Sequence, residues 1–189
     1  NEFKDKENDL INGYLQRKSR DALFIDLGRT EGIIPYREQS PLEHFKTGDR
    51  IKALIISVQK NSKGPSIVLS RTNTKFVEKL FEMEIPEIYD GVVTIVKVVR
   101  EAGMRTKVAV SSNRDDIDSV GACVGMKGIR IQSIVRELEG EKIDVVEYFS
   151  EKKIMAANAL TPSKVKEIID IQDGGVIAVV EGDQYKLAV

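Results

Sequence analysis

The same succession of sequence patterns, each typical of a helix or a strand, occurs twice in this chain. This repetition limits the possible folds more than any other feature. Residues 118–124 read DSVGACV and residues 183–189 read DQYKLAV, so the two segments correspond position for position. Ahead of each segment, the apolar spacing predicts a helix followed by two strands. We therefore expect an internal repeat of roughly 70 residues, whose second copy stops before the second half of the unit begins.

The first copy continues into a glycine turn, GMKG at 125–128, and then into a second helix. Apolar residues of that helix fall at i, i+3, i+4 and i+7 and give it one core face: Ile131, Ile134, Val135 and Leu138. Pro86 should end the helix that opens the unit, and Asp173-Gly174-Gly175 should form a hairpin turn in the second copy. The order helix, two strands, helix, turn, helix, strand predicts an α+β unit.

The chain before residue 72 follows a different period. Leu23, Ile25 and Leu27 alternate with Ala22, Phe24 and Asp26, which is typical of a half-buried strand. Residues 10–71 contain five such short segments, separated by polar turns such as the one at 60–65. Short strands with polar turns predict a small closed barrel, because closure removes the exposed edges of a sheet.

Charge and cysteine content narrow the function classes. The 29 Lys and Arg residues are balanced by 30 Asp and Glu residues, so any attraction to nucleic acid must come from local patches. The single cysteine, Cys123, excludes an internal disulfide, and we interpret it as a small buried residue in a reducing compartment. No apolar run approaches the roughly 18 residues of a membrane helix, so we expect a cytoplasmic protein.

The sequence offers no candidate catalytic site, metal site or cofactor site. His44 is the only histidine and lies in a polar loop. Three aspartates, Asp115, Asp116 and Asp118, precede the short helix, where their ordinary role is to cap and to stabilise the helix N-terminus. We therefore expect a binding protein rather than an enzyme.

The glycine turn at 125–128 is the best candidate for a binding site. Glycines allow positive φ and close approach of a ligand, and a helix that begins at Lys127 would present free N–H groups to an anion. No acidic residue occurs from Ser119 to Arg136, a stretch that contains Lys127 and Arg130. Taken alone, the same four residues are also compatible with a tight helix–helix turn without a ligand.

The helix–GxxG–helix element after a two-stranded hairpin resembles the KH domain in its bacterial, type II arrangement. Such domains hold about four single-stranded nucleotides, with the GXXG loop against the backbone. The resemblance implies that bases lie toward the strand of Ile143, Val145 and Val146, and that an acidic side chain at Gly128 weakens RNA binding at least tenfold, with the fold retained if residue 128 is helical. The implied RNA-binding residues are Val124, Gly125, Met126, Lys127, Gly128, Ile129, Arg130 and Arg136.

The first module resembles an S1 RNA-binding domain of the OB-fold class, in DLG at 26–28, EGII at 31–34, TGDRI at 47–51 and LSR at 69–71. Such domains stack bases on aromatic side chains. Members of the family carry aromatic residues at the positions of Asp21 and Phe24 and a histidine at that of Pro35. Phe24 remains here and Tyr36 is a possible substitute, so we expect this barrel to bind RNA weakly by itself.

The order of the modules resembles the NusA family of bacterial transcription termination and antitermination factors. The resemblance implies an S1 domain at 1–72, a first KH domain at 73–148 and an incomplete second KH domain at 149–189, with another GxxG beyond residue 189 and a polymerase-binding domain before residue 1. It implies a non-enzymatic function: binding nascent single-stranded RNA and modulating pausing, termination and antitermination. The implied partners are this RNA, RNA polymerase and other elongation or antitermination factors.

Two alternatives remain open from the sequence. Some phosphorolytic exoribonucleases carry KH and S1 modules, although there the KH module comes first and a large catalytic body is attached. The chain could also serve chiefly as a protein-interaction scaffold on the polymerase, with the barrel surface facing protein rather than RNA.

Overall fold

The computed structural model describes residues 3–61 and 64–188; residues 62 and 63, inside the turn expected at 60–65, lie outside the described residues. The first module is a closed barrel with the strand order β1-β2-β3-β5-β4. Its strands are β1 Leu10–Lys18, β2 Ala22–Asp26, β3 Glu31–Pro35, β4 Arg50–Asn61 and β5 Gly64–Ser70. Strands β3 and β5 pair in parallel, whereas the other neighbours pair antiparallel. The expected five-stranded barrel is confirmed.

The barrel closes around one aliphatic core. Alternation with period two sends one set of side chains inward, and closure brings the inward sets of all strands together. Nine buried residues form this core: Leu15, Leu23, Ile25, Ile34, Ile51, Ala53, Ile55, Ile67 and Leu69. Most are β-branched or leucine, which suits the pleated inner surface.

The α+β region follows the barrel, as expected. Its elements are α1 Thr74–Glu84, α2 Pro86–Tyr89, β6 Val93–Glu101, β7 Arg105–Ser112, α3 Ser119–Val124, α4 Ile129–Glu137 and β8 Lys142–Glu147. The strands form a sheet in the order β6-β7-β8. Pro86 separates α1 from α2 and occupies the first turn of α2, where its missing N–H costs nothing.

The second copy of the repeat is partial. It consists of α5 Lys152–Ala159, β9 Val165–Asp170, β10 Val176–Val180 and α6 Tyr185–Ala188, and its two strands pair antiparallel. Several large apolar side chains of this copy are between 41% and 61% exposed: Ile154, Ile169, Ile171, Ile177, Tyr185 and Leu187. The incomplete unit therefore leaves apolar surface in contact with solvent.

The chain divides into two compact units. The first contains the chain up to Glu84 together with Arg100–Arg105 and Ser133–Lys142. The second contains Ile85–Val99, Thr106–Gln132 and the chain from Ile143 onward. Two stretches that are distant in sequence thus share the first unit with the barrel. Among the helices of the described ranges, none is long and apolar enough to cross a membrane.

A buried arginine ties the stretch at 133–142 to the barrel within the first unit. The side chain of Arg71 is 1% exposed and donates to both carboxylate oxygens of Glu43, each at 2.7 Å. It also donates to the main-chain oxygen of Glu137, at the end of α4, at 2.7 Å and to its side chain at 3.1 Å. Burial raises the pKa of Glu43, although the pair with Arg71 opposes that shift.

A second buried pair lies in the same unit. Arg100 donates to the two carboxylate oxygens of Glu141 at 2.9 and 2.8 Å, and both side chains are at most 1% exposed. The N–H of Gly103 donates to Glu141 at 2.8 Å, and Arg100 also donates to the main-chain oxygen of Asn73 at 2.9 Å. Bidentate geometry and additional donors are the conditions under which a buried ion pair is tolerated.

Arg71→Met should lower the free energy of unfolding by about 3–5 kcal/mol, because it leaves Glu43 buried without its partner. Urea denaturation followed by circular dichroism measures the loss. Arg37→Met is the matched control: Arg37 is 83% exposed and pairs with Glu38 at 3.6 Å, so its loss should change stability by less than about 0.5 kcal/mol. Equal effects of the two substitutions would contradict the role given to Arg71.

Candidate nucleic-acid interface

Helix α3 is started by an aspartate, as the sequence predicts. The carboxylate of Asp118 accepts hydrogen bonds from the N–H groups of Val120 at 3.1 Å and Gly121 at 2.9 Å. Asp116 instead pairs with Arg114 on the surface, which holds the pKa of that carboxyl below its usual range. Asp118 therefore fixes the start of the short helix that leads into the glycine turn.

The glycine turn has an unusual backbone. Gly125 has φ 74° and ψ 169°, Lys127 has φ 55° and ψ 23°, and Gly128 has φ 76°. Helix α4 consequently begins at Ile129, so the expected start at Lys127 is wrong by two residues. The left-handed conformation at 127 and 128 interrupts the helical path, and residue 128 is not helical.

The turn leaves open space beside Gly128. A Cβ atom placed there would have Cγ2 of Ile131, at 3.9 Å, as its nearest neighbour. The N–H of Gly128 donates to the oxygen of Gly125 at 3.0 Å, and that of Ile129 donates to the oxygen of Met126. Two of the N–H groups predicted to be available to an anion are thus already hydrogen-bonded within the turn. A ligand would instead approach the face of Gly128 that carries no side chain.

Apolar side chains flank this open surface. Met126 is 83% exposed and Ile129 is 72% exposed. Lys127 lies between the two glycines, and no ion pair joins it to the residues that the structure describes. The turn therefore combines a cation, two exposed apolar side chains and a glycine with a free face.

Arg130 has a structural role that the sequence does not reveal. Its Nη1 donates to the main-chain oxygen of Ala122 at 2.7 Å and to Glu87 of α2 at 2.8 Å. Its stem also covers Gly125, where a Cβ atom would come within 2.8 Å of Cγ of Arg130. Arg130 therefore caps the C-terminal end of α3 and holds the turn, with its charge largely used by Glu87.

The remaining KH residues of the predicted set are spread along the region. Val124 is the last residue of α3, and Arg136 is exposed near the end of α4, about 10 Å along the helix axis from Ile129. On β8, Ile143 and Val145 are half-buried and Val146 is buried. The structure thus gathers residues 124–130 in one place, whereas Arg136 lies two turns further on.

Cys123 is fully buried in α3, as expected. Burial, and then the carboxylate of Glu87, raise the pKa of its thiol to about 12. The thiol is therefore protonated at neutral pH and packs as a small apolar group.

Three aromatic residues of the barrel differ in how far they are exposed to solvent. Phe24 is half-buried, and the guanidinium carbon of Arg17 lies 3.4 Å from its ring centroid. Tyr36 is 74% exposed in a short 3₁₀ turn after β3. Tyr14 is 59% exposed on β1, opposite Asp26 of β2, and was missed by sequence reasoning. Its alternation with the buried Leu15 is the signal that could have identified it as an outward-facing aromatic.

Metal-binding geometry is absent from the described ranges 3–61 and 64–188, where no group of three or more His, Cys, Asp or Glu residues could hold an ion. His44 is exposed, with its Nδ1 3.0 Å from the main-chain oxygen of Leu42.

Comparisons with known proteins agree with this geometry. Residues 4–71 match the S1 RNA binding domain, and residues 71–148 match the NusA-like first KH domain. Over its full length, the chain is 46% identical to the transcription termination/antitermination protein NusA of Borreliella burgdorferi and of Bacillus subtilis, and 41% identical to that of Thermus thermophilus. It corresponds to the S1 and first KH region of the NusA family.

This region is a part of the NusA relatives rather than their whole length. The chain spans 39%, 51% and 49% of these three relatives, respectively. The name of the relatives denotes transcription termination and antitermination and not an enzyme, in agreement with the expectation of a non-enzymatic protein.

Gly125→Ala should destabilise the protein by about 2 kcal/mol or more. Its φ and ψ fall in a region that only glycine adopts readily, and the new Cβ would contact Arg130. Gly182→Ala is the control, since a Cβ there meets nothing within 4 Å and its φ is not in the left-handed region. Thermal or urea unfolding of both variants gives the comparison, and a neutral Gly125→Ala would show that the turn has a different backbone in solution.

Cys123 should resist thiol reagents in the native protein. With a pKa of about 12 and no exposed surface, it should react with Ellman's reagent far more slowly at pH 8 than a free cysteine. The same protein in denaturing urea supplies the control, in which one thiol should react fully. Rapid labelling without denaturant would mean that α3 opens readily.

Proposed function

We propose that this chain binds nascent single-stranded RNA through the turn at 125–128 and the start of α4. In this proposal it acts in the bacterial cytoplasm, with RNA polymerase and other elongation or antitermination factors as partners, and modulates pausing, termination and antitermination. The observation that carries the RNA site is the open glycine turn, with Lys127 and Gly128 at its tip. The names of the NusA relatives and the S1 RNA binding domain match support the wider role.

Phosphate contacts supply most of the affinity in this proposal. A phosphate can approach Gly128 closely because no side chain occupies that face. Lys127 adds a positive charge, and the N-terminal end of α4 adds the partial positive charge of its first turn. The segment from 119 to 136 contributes no acidic side chain, and the carboxylate of Glu87, which reaches Arg130, is paired with it.

Bases would be held by apolar contacts beside the turn. Met126 and Ile129 are exposed next to Gly128, and Ile143 and Val145 of β8 provide further half-buried apolar surface. Such a surface favours single strands over duplexes, because only unstacked bases can lie against it. Phosphate contacts then position the strand, and the bases supply selectivity.

The predicted site residues have unequal roles in this proposal. Lys127 is the main phosphate ligand, whereas Arg130 mainly positions the turn because Glu87 and the oxygen of Ala122 already use its guanidinium. Arg136 contacts RNA only where the strand extends along α4. Phe24 and Tyr36 of the barrel contribute less than the KH residues.

Lys127→Asp should weaken binding of a short labelled single-stranded RNA at least about tenfold, since it removes a phosphate contact and places a negative charge at the turn. Aspartate and asparagine tolerate the φ of 55° at this position, so the fold should survive. This substitution is a cleaner test than Gly128→Asp, which would introduce a side chain at φ 76°.

Two further variants complete that experiment. Lys127→Asn keeps the backbone preference without the new negative charge and should have an intermediate effect. Lys142→Asn removes an exposed lysine at the start of β8 and should change the affinity by less than twofold, or about 0.4 kcal/mol. Fluorescence anisotropy measures all three. Unchanged affinity in a folded Lys127→Asp variant would overturn the assignment of the site.

The salt dependence separates Lys127 from Arg130. Lys127→Asn should reduce the slope of log affinity against log salt by about 0.7, the value for one phosphate contact to a single strand. Arg130→Gln should reduce the slope by less than half as much, because Glu87 already neutralises its charge. Titrations over a series of KCl concentrations measure both slopes. Equal changes would show that Arg130 leaves Glu87 to bind phosphate.

A further inference from the structure

Arg17 covers the ring of Phe24 on the outer face of the barrel. The two residues are opposite each other in the pairing of β1 with β2, and the guanidinium carbon lies 3.4 Å from the ring centroid. This distance is that of two planar groups in van der Waals contact, so a nucleobase cannot occupy the same ring face at the same time. The one aromatic that remains at a usual S1 stacking position is therefore covered.

A register shift in β1 places Arg17 there. Leu15 points into the barrel, and strict alternation would also turn residue 17 inward. The pairing shifts between Leu15 and Arg17, so that Gln16 is passed over and Arg17 emerges on the outer face opposite Phe24. Irregularities of this kind redirect a side chain without changing the rest of the sheet.

Glu31 holds Arg17 in this position. Nη2 of Arg17 donates to both carboxylate oxygens of Glu31, on β3, at 3.0 and 3.3 Å. The pair neutralises the charge of Arg17, and Asp26 adds another carboxylate in the neighbouring strand, opposite Glu31. In this closed arrangement the ring face of Phe24 is closed to a base by Arg17, and the charge of Arg17 is paired rather than free for a phosphate.

We propose that Arg17 and Glu31 form a cover over the base-stacking surface of the barrel, and that single-stranded RNA binds to Phe24 only when Arg17 leaves its ring. The cover is weak enough to open. An exposed cation–π contact and an exposed ion pair together change an equilibrium constant by about 3- to 30-fold. Once released from Glu31, the guanidinium is free to pair with a phosphate of the same strand, so that a single movement uncovers the ring and frees the cation. The proposal depends on the proposed RNA-binding function only for the identity of the ligand.

The test uses the full chain with Lys127→Asp in the background, so that binding to the barrel is measured with the KH turn weakened. The probe is a single-stranded RNA containing 2-aminopurine, whose fluorescence falls when the base stacks on an aromatic ring. Glu31→Gln should tighten binding by about 1.4- to 5-fold and increase the quenching, because it removes the ion pair that holds Arg17 and leaves only the contact with the ring to be broken. Adding Phe24→Leu should abolish both gains.

The matched control is Asp21→Asn, which also removes one exposed carboxylate of the barrel but lies in the turn before β2. An equal gain from Asp21→Asn, a gain that survives Phe24→Leu, or no gain from Glu31→Gln would each overturn the proposal. The free protein gives a measurement without RNA: the Arg17 side-chain protons should be shifted upfield by the ring of Phe24, and unshifted protons would exclude the cover.

The outcome is separable from that of the proposed function. Lys127→Asp alone tests the KH turn in the otherwise natural sequence. If it leaves the affinity unchanged while Glu31→Gln gives a gain that depends on Phe24, the cover stands and the KH assignment fails. The reverse pattern retains the KH site and overturns the cover.

Discussion

The guanidinium of Arg71 is the interaction on which the first compact unit depends. A buried cation is tolerated only when its donors find acceptors, and those of Arg71 are met by Glu43 and by the side chain and main-chain oxygen of Glu137. These partners lie 28 residues before it and 66 residues after it in the chain. The last turn of α4 is thereby held in the same unit as the barrel, which the connectivity of the chain alone would not require. Arg100 and Glu141 repeat the arrangement, with Asn73 as the additional acceptor.

The same pairing of arginine with glutamate occurs at the candidate RNA-binding surfaces, with a different consequence. Arg130 is held by Glu87 at the glycine turn, and Arg17 is held by Glu31 on the barrel. At both surfaces a neighbouring glutamate compensates the charge of the arginine locally. A buried arginine cannot give up its carboxylate without a large loss of stability, whereas an exposed arginine can exchange its carboxylate for a phosphate at small cost. Affinity for RNA is then set by which arginines are free to exchange their partners.

Much of the fold can be predicted from the sequence, because it is recorded in local patterns. Period-two alternation predicts the barrel strands, and the i, i+3, i+4, i+7 spacing of Ile131 to Leu138 predicts the core face of α4. Asp118 as a helix cap also follows from its position before an apolar run, as the structure confirms. The start of α4 was misplaced, because nothing in the identity of Lys127 indicates a left-handed backbone. Long-range pairs such as Arg130 with Glu87 depend on tertiary geometry and leave no local pattern.

The same limit explains why the barrel surface was only partly anticipated. A family resemblance indicates that Phe24 occupies a stacking position, but the side chain that covers it comes from another strand, after a shift in register. A shift of one residue reverses the direction of every later side chain in β1, so Arg17 changes from an inward to an outward position. Sequence patterns report which residues are apolar, whereas the state of a binding face depends on which charged neighbour reaches it. In this chain, the pairing of β1 with β2 passes over Gln16, and for that reason Arg17 lies over the ring of Phe24.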